Sequence, residues 1–172
     1  MKVLYLFGPS LGVLGTRAPE LYGSQTLAEI MGEVEERAER LGHETSWEQS
    51  DAEADLIGRL LGAGAQGIDI VVLNPGALGH YSYALRDAVE ASGLPVIEVH
   101  QTNIYARESF RQHSVISATC AAPVIEVHMT NVYAREEFRR RSVIAPVARA
   151  SLVGAGAGVY HLALEAIPWI TR

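Results

Sequence analysis

The stretch "KVLYLF" at Lys2–Phe7 is an almost unbroken run of apolar residues. Runs of this kind are typical of β-strands that are buried on both faces, as they are in parallel sheets covered by helices. An apolar start could also indicate a signal peptide, but Pro9 and the neighbouring glycines interrupt the run and no A-x-A-like cleavage site follows. We therefore expect Lys2–Phe7 to be the first core strand.

Outward from this strand, apolar runs alternate with stretches of helical periodicity. Thr26 and Glu29 form a capping box that predicts the start of the first helix. Further helices are predicted at Ala52–Leu61, Tyr81–Ala91 and Val159–Ala166, and further strands at "ETSWEQS", "IDIVVLN", "PVIEVH" and "ASLVGAG". This order predicts an α/β fold with residues 1–172 in one domain: a flavodoxin-like, doubly wound, five-stranded parallel sheet with helices on both faces. In the second helix we expect four side chains to face the core: Leu56, Ile57, Leu60 and Leu61.

Composition narrows the class of protein. With 172 residues, of which 48% are apolar and 20% charged, the chain suits one globular domain. The net charge of −6 argues against nucleic-acid binding, which needs clustered Lys and Arg. Cys120 is the only cysteine, so no internal disulfide can form and a reducing compartment, the cytoplasm, is expected. The sequence has no run of 18 apolar residues, and we expect no membrane span.

The chain contains one internal repeat. The segment "PVIEVHQTNIYARESFRQHSVI" at Pro95–Ile116, the first copy, is followed 28 residues later by "PVIEVHMTNVYAREEFRRRSVI" at Pro123–Ile144, the second copy, with 17 of 22 positions identical. Two copies are too few for a solenoid, in which each repeat packs on its neighbours. The pattern indicates a tandem duplication within one domain, in which residues 123–150 repeat residues 95–122 as an insertion.

Only one copy fits the strand position that such a sheet provides. The short "SGLP" connection upstream favours the first copy, with the strand Val96–Val99 in the parallel sheet. The segment from Ser117 to Val143 would then lie outside the core or form an added edge strand, where unpaired backbone groups favour association. The alternative is that the second copy is docked and the first is the insertion.

Polar side chains gather after the first, third and fourth strands, whose carboxyl ends form the ligand-binding edge of a doubly wound sheet. They are Arg17, Tyr22, Asn74, His80, Asp87, His100, Thr102, Arg107 and Arg111. Neither a Cys/His metal spacing nor a P-loop nor a G-x-S-x-G elbow is present, and "GAGAGVY" at Gly154–Tyr160 lacks the context of a dinucleotide turn. The loops therefore predict an acid/base site without a cofactor or metal, with arginines suited to a carboxylate substrate.

Each of these residues also has a simpler structural interpretation. Tyr22 could pack its loop against the core, and His100 could be a hydrogen-bonded core histidine. The sequence Asn74-Pro75-Gly76 is a turn signal in many proteins. Arg107 and Arg111 are four residues apart and could form only a solvated helical face. The functional interpretation is favoured because all of these residues fall on loops at one edge of one predicted sheet.

Long motifs within these loops resemble one known family. "LGTRAPELYG" and "IEVHQTNIYARESFR", together with "VLNPGALGHYSYALRDAV" and the ending "LVGAGAGVYHLALEAI", are similar to the type II 3-dehydroquinate dehydratases over essentially the whole chain. The resemblance implies the elimination of water from 3-dehydroquinate to give 3-dehydroshikimate, without cofactor or metal. It also implies a homotrimer as the minimum working unit, assembling further to a dodecamer.

The resemblance also implies a role for each site residue. Tyr22 would remove a C2 proton; a free tyrosine has a pKa of about 10, and the charge of Arg17 would favour its phenolate. His100 would protonate the departing C1 hydroxyl, and Glu98, two residues earlier on the same strand face, would orient its ring. Substrate would be bound by Asn74, His80, Gln101, Thr102 and Arg111, and Asp87 would reach the site of a neighbouring subunit. If the second copy were docked, the equivalent residues would be His128, Thr130 and Arg139.

Two departures from the family bear on activity. The family's first loop reads Asn-Gly-Pro-Asn-Leu-Asn, where this chain has Phe7-Gly8-Pro9-Ser10-Leu11-Gly12, so that Ser10 replaces the asparagine that helps to stabilise the enolate through a water. Loss of one preorganised oxyanion donor can cost about a hundredfold in rate. Leu78-Gly79 replaces the usual Tyr-Thr before His80. The alternative function is therefore an impaired relative that acts as a ligand-binding or structural protein.

Overall fold

The computed structural model describes residues 1–16, 24–100, 114–116, 124–128, 148–153 and 156–170. The strands in these ranges are β1 (Lys2–Phe7), β2 (Glu44–Gln49), β3 (Ile70–Asn74), β4 (Val96–Glu98), β5 (Val124–His128) and β6 (Ala148–Val153). The α-helices are α1 (Leu27–Arg40), α2 (Glu53–Ala63), α3 (Tyr83–Ser92) and α4 (Val159–Ile170), with short 3-10 turns at Leu11–Val13, Gly64–Gln66, Gly76–His80 and Gly156–Gly158. None of the helices in these ranges is long and apolar enough to cross a membrane.

The four strands β2-β1-β3-β4 form one parallel sheet in that order. Phe7 at the end of β1 lies between Gln49 of β2 and Asn74 of β3. Leu73 lies opposite Glu98 of β4. The carboxyl ends of all four strands therefore meet at one edge, as the flavodoxin-like, doubly wound prediction requires.

Helices cover both faces of this sheet, and the side-chain alternation of β1 shows why its sequence is continuously apolar. Val3, Tyr5 and Phe7 pack with α1 and α4, whereas Leu4 and Leu6 pack with α2 and α3. Successive side chains of a strand point to opposite faces, so a strand covered on both sides needs apolar residues at every position.

Side-chain caps begin two helices: the first confirms the predicted capping box, and the second places the start of α3 at Tyr83, two residues after the predicted Tyr81. The Thr26 hydroxyl accepts from Glu29 N at 3.2 Å, and the Glu29 carboxylate accepts from Thr26 N at 2.8 Å, completing the capping box of α1. The hydrogen bonds from Thr26 hold the pKa of the Glu29 carboxyl below its ordinary value. Ser82 caps α3 by accepting from Leu85 N at 2.8 Å.

The strands divide differently from the prediction of one five-stranded sheet. Four of the predicted strands form the sheet β2-β1-β3-β4, but the last, β6, pairs in parallel with β5 in a separate two-stranded ladder. The physical reason is that the second copy contains a strand, β5, with nearly the same sequence as β4. Along the chain, β5 lies closer to β6 than β4 does. Loop closure costs less over the shorter separation.

One helix prediction was wrong in detail. Leu56 and Leu60 of α2 are buried as expected, but Leu61 is 53% exposed. Leu61 follows Leu60 by about 100° around the helix axis, and at that angle the side chain leaves the face that packs on the sheet.

The two copies have different strand partners. The strand of the first copy, β4, pairs with β3, whereas the strand of the second copy, β5, pairs with β6 and lies beside β4. The first copy also returns to the core at its other end, where Val115 N donates to the Gly79 carbonyl at 2.8 Å. Val115 and Ile116 are buried there against the α2 and α3 face. The segment Ser117–Val143 was expected to lie outside the core or to form an added edge strand. Only β5 of this segment lies within the described residues, and β5 is a paired strand.

Candidate functional site

The loops after β1 and β3 are locked together at the carboxyl edge of the sheet. Gly8 N donates to the Asn74 carbonyl at 2.8 Å. A Cβ atom on Gly8 would lie 2.3 Å from the Pro75 carbonyl oxygen, so only glycine allows this approach. Gly76 has a φ of 57°, a left-handed conformation that glycine adopts without strain. The loop that carries Ser10 is thus joined to the end of β3 at Asn74 and to the loop that leads to His80, and together they form one rim.

Asn74 is buried at this rim with its amide group fixed. Its Nδ2 donates to the Tyr160 hydroxyl at 2.9 Å, and its Oδ1 accepts from Gly76 N at 3.2 Å. These two bonds define which side of the amide is nitrogen and which is oxygen. Tyr160 was not predicted from the sequence, because a tyrosine on the inner face of the last helix is no signal of a site by itself.

Tyr5 forms a hydrogen bond to Tyr160, the partner of Asn74. Its hydroxyl donates to the Tyr160 carbonyl at 3.4 Å. Burial raises the pKa of Tyr5 far above its ordinary value, and the neighbouring Tyr160 phenol adds to the effect. Tyr5 therefore stays protonated and acts as a structural donor rather than as a base.

The end of β4 carries a buried carboxylate–imidazole pair. Glu98 Oε1 lies 2.8 Å from His100 Nε2, and the two residues are only 2% and 5% exposed. An ionised carboxylate can only accept hydrogen bonds, so Nε2 carries the hydrogen and Nδ1 is the nitrogen that remains for chemistry. The ring of His80 stacks on that of His100 with centroids 5.9 Å apart and planes 22° apart.

Gly79 has no side chain, which allows the loop after β3 to lie close to the Glu98–His100 pair. A Cβ atom there would lie 2.8 Å from Pro75 Cγ, 3.3 Å from Glu98 Oε1 and 3.4 Å from His100 Cε1. The departure from the Tyr-Thr sequence at Leu78-Gly79 therefore coincides with a close approach of the β3 loop to the pair. Leu78 itself is buried in the core.

Ser10 lies on the loop after β1 in an unusual backbone conformation. Its φ is 67°, which makes it the non-glycine residue with positive φ in the described part of the chain. Its backbone N donates to Asp51 Oδ1 at 2.9 Å, and Gln49 Nε2 donates to the same oxygen at 2.9 Å. The Ser10 side chain is exposed and forms no cap hydrogen bond.

The structure brings together only some of the residues that the sequence singled out. Asp87 is exposed on α3, and no described contact joins it to the Glu98–His100 pair. His128 is the last residue of β5. The remaining candidates lie outside the described residues: Arg17, Tyr22, Gln101, Thr102, Arg107, Arg111, Thr130 and Arg139.

A separate cavity of about 530 Å³ lies between β2 and α2. Its polar side chains bond to one another: Arg59 Nε lies 2.5 Å from Glu48 Oε1, and Ser50 Oγ donates to Asp55 Oδ2 at 2.6 Å. None of the site residues predicted from the sequence lines it. The described residues also contain no group of three or more His, Cys, Asp or Glu side chains arranged to hold a metal ion.

Together these contacts assemble an acid/base group beside an oriented amide. The Glu98–His100 pair supplies a buried imidazole in a defined orientation, and Asn74 supplies a fixed polar contact at the end of the adjacent strand β3. Both groups lie at the carboxyl ends of parallel strands, at the edge of the sheet where doubly wound folds bind small molecules.

Comparison with known proteins identifies relatives along the whole chain. The family described as "Dehydroquinase class II" matches residues 1–123 and again 118–168, so that each copy falls within a different match. The chain is 55% identical over 117 residues to the 3-dehydroquinate dehydratase of Pelotomaculum thermopropionicum, covering 68% of this chain and 81% of that protein. It is 40% identical over 171 residues to that of Thioalkalivibrio sulfidiphilus, covering 99% and 97%. The crystal structure of type II dehydroquinase from Propionibacterium acnes superimposes with a TM-score of 0.74 at 32% identity, covering 96% of this chain and 94% of that one.

Proposed function

Because the chain belongs to the type II dehydroquinase family, we propose that it is a 3-dehydroquinate dehydratase. This hydro-lyase converts 3-dehydroquinate to 3-dehydroshikimate in the shikimate pathway, which leads to chorismate and the aromatic amino acids. The observation that carries the proposal within the structure is the buried Glu98–His100 pair, 2.8 Å apart, beside the loop of Asn74. None of the described contacts favours the alternative of an impaired binding protein.

The reaction needs one base and one acid. We assign the base to Tyr22, whose phenolate the guanidinium of Arg17 would favour. Removal of a C2 proton leaves its electron pair in an enolate with the C3 carbonyl. When the enolate collapses, the C1–O bond breaks and a C1–C2 double bond forms, while His100 delivers a proton to the departing hydroxyl, which leaves as water.

The Glu98–His100 geometry suits the acid role. With Nε2 held by Glu98 Oε1, the transferred proton would be carried by Nδ1. General acid catalysis of this kind contributes typically 10²–10⁴-fold in rate.

Further residues are proposed to bind substrate. They are Asn74, His80, Gln101, Thr102 and Arg111, with Arg111 as the partner of the substrate carboxylate. Ser10 would provide one hydroxyl donor on the enolate side. We propose that the first copy supplies the catalytic histidine, because its strand pairs with β3 at the edge that carries Asn74. Residues 123–150 are then the insertion, and His128, Thr130 and Arg139 are not required.

We propose a homotrimer that assembles further to a dodecamer, in the cytoplasm. The side chains of Tyr81 and Tyr83, around the start of α3, are 61% and 63% exposed and offer aromatic area of the kind enriched in interfaces; Asp87 follows one turn later on the same helix. Asp87 would complete the site of a neighbouring subunit. The single cysteine of the chain is compatible with a reducing compartment.

Ultraviolet absorbance tests the proposed reaction, since the product is a conjugated enone and the substrate is not. The purified protein should generate this absorbance from 3-dehydroquinate and keep its activity after treatment with borohydride in the presence of substrate. Inactivation by borohydride would indicate an imine route and overturn the mechanism. Binding of 3-dehydroquinate without turnover would instead support the impaired alternative.

A further inference from the structure

The return of the first copy to the core places a hydroxyl on the catalytic pair. Ser114 Oγ donates to Glu98 Oε1 at 2.7 Å, and the same oxygen accepts from His100 Nε2 at 2.8 Å. We infer that Ser114 is a positioning residue for His100 and acts through the Glu98 carboxylate. The kinetic part of this inference rests on the proposed function, whereas the geometric part does not.

The Ser114 hydroxyl is itself oriented by the backbone around it. Ile116 N donates to Ser114 Oγ at 3.2 Å, so a lone pair of the oxygen accepts this bond while the hydroxyl hydrogen points to Glu98. Val115 N donates to the Gly79 carbonyl at 2.8 Å, which attaches this turn to the loop after β3. The direction of the Ser114 O–H bond is therefore set by the fold.

Because the Glu98 carboxylate is buried, it depends on the hydrogen bond that Ser114 donates. The side chain of Glu98 is only 1% exposed, and a buried charge needs hydrogen bonds to replace the water that it has lost. Two donors on one oxygen also restrain rotation of the carboxylate group. A Cβ atom at Gly79 would lie only 3.3 Å from the same oxygen, so the backbone of the β3 loop closes that side of the carboxylate. The carboxylate is thus confined to the orientation that holds Nε2 of His100.

The repeat provides a matched control. Ser142 occupies in the second copy the position that Ser114 occupies in the first, and it follows an equivalent Glu126 and His128. If the role of Ser114 comes from its contact with the docked pair, the same substitution at Ser142 should not reproduce the effect. A general effect of removing serine from this sequence would appear at both positions.

The kinetic experiment compares Ser114→Ala with Ser142→Ala, and the isosteric pair Ser114→Thr with Ser114→Val. We expect kcat to fall about tenfold in Ser114→Ala and Ser114→Val, a part of the 10²–10⁴ that general acid catalysis supplies, with KM nearly unchanged. Ser114→Thr keeps the hydroxyl and should retain most of the activity, and Ser142→Ala should match the unmodified chain. Because threonine and valine have the same shape, their comparison separates the hydroxyl from packing even where Ser114→Ala fails to fold.

A second readout does not depend on turnover. In protein labelled with ¹⁵N-histidine, the Nε2–H of His100, identified by its loss in His100→Ala, should be downfield and protected from exchange. Ser114→Val should make it exchange faster and move upfield, whereas Ser114→Thr and Ser142→Ala should leave it in place. An unchanged resonance in Ser114→Val, or an equal change in Ser142→Ala, would overturn the inference. If the protein fails to convert 3-dehydroquinate, the proposed function is lost, but this resonance still decides the role of Ser114.

Discussion

The first and second copies have nearly the same sequence but different neighbours. In the first copy, β4 pairs with β3, His100 contacts Glu98, and Ser114–Ile116 returns to the core. In the second copy, β5 pairs with β6. Identical strand propensity therefore leads to two positions in the molecule, because strand propensity specifies a pleated, half-buried surface and not a particular partner.

This difference indicates that the flanking elements decide which copy joins the main sheet. The short turn after α3 delivers the first copy directly beside β3, and no other strand intervenes. The second copy precedes β6 and pairs with it. The first copy thus pairs with a strand that precedes it in the chain, and the second copy pairs with a strand that follows it. The family match likewise divides between residues 1–123 and 118–168.

The largest effect expected from this comparison is in catalysis. His100→Ala should lower kcat by about 10²–10⁴-fold, the contribution typical of a general acid, whereas His128→Ala should leave kcat close to that of the unmodified chain. The absorbance assay for 3-dehydroshikimate measures both. The reverse result would show that the second copy is docked and residues 95–122 are the insertion, and loss in both variants would show that each copy contributes.

The next effect concerns stability. Ile116 is fully buried against the α2 and α3 face, so Ile116→Ala should lower the free energy of unfolding by about 2–5 kcal/mol. Under the proposal that the first copy is docked, Ile144→Ala at the equivalent position should cost less. Chemical denaturation of the two variants measures the difference. Equal losses would mean that both copies are packed to the same degree at this position.

A smaller effect is expected at Tyr160, which lies on α4 after the second copy and yet contacts Asn74 of β3, the strand that pairs with the first copy. Tyr160→Phe removes the acceptor of Asn74 Nδ2 and should cost about 1–3 kcal/mol, the penalty for a buried donor without a partner. Because Asn74 is proposed to bind substrate, KM should rise as well. Tyr5→Phe is the control, since its bond to the Tyr160 carbonyl is longer, at 3.4 Å. Equal effects of the two changes would show that the Asn74 contact has no special importance.

Most of the fold could be predicted from local sequence. The apolar run of β1 and the capping box at Thr26 and Glu29 each follow from a pattern of a few residues. The partner of β6 could not, because the chain offers two nearly identical strands and the choice depends on tertiary neighbours. The contacts of Tyr160 and Ser114 were equally inaccessible, since hydrogen bonds between distant segments leave no pattern in a single sequence. The proximity of Glu98 and His100 was predictable, because alternate residues of a strand share a face.

The smallest effect is expected at Ser10, which lies on the loop after β1 and belongs to neither copy. Its φ of 67° is left-handed, and asparagine tolerates that conformation better than serine does. Ser10→Asn should therefore stabilise the fold by on the order of 0.5 kcal/mol, part of the roughly 1–3 kcal/mol that a sparsely populated backbone conformation costs. Thermal unfolding measures this gain, and Ser10→Gly should show a similar one. Only Ser10→Asn should also raise kcat, because it adds a donor on the enolate side. This rise should persist in His128→Ala, whereas in His100→Ala it can act only on the small residual activity. A rise in kcat with Ser10→Gly as well would assign the effect to backbone relaxation, and a rise that disappears in His128→Ala would place the second copy at the site.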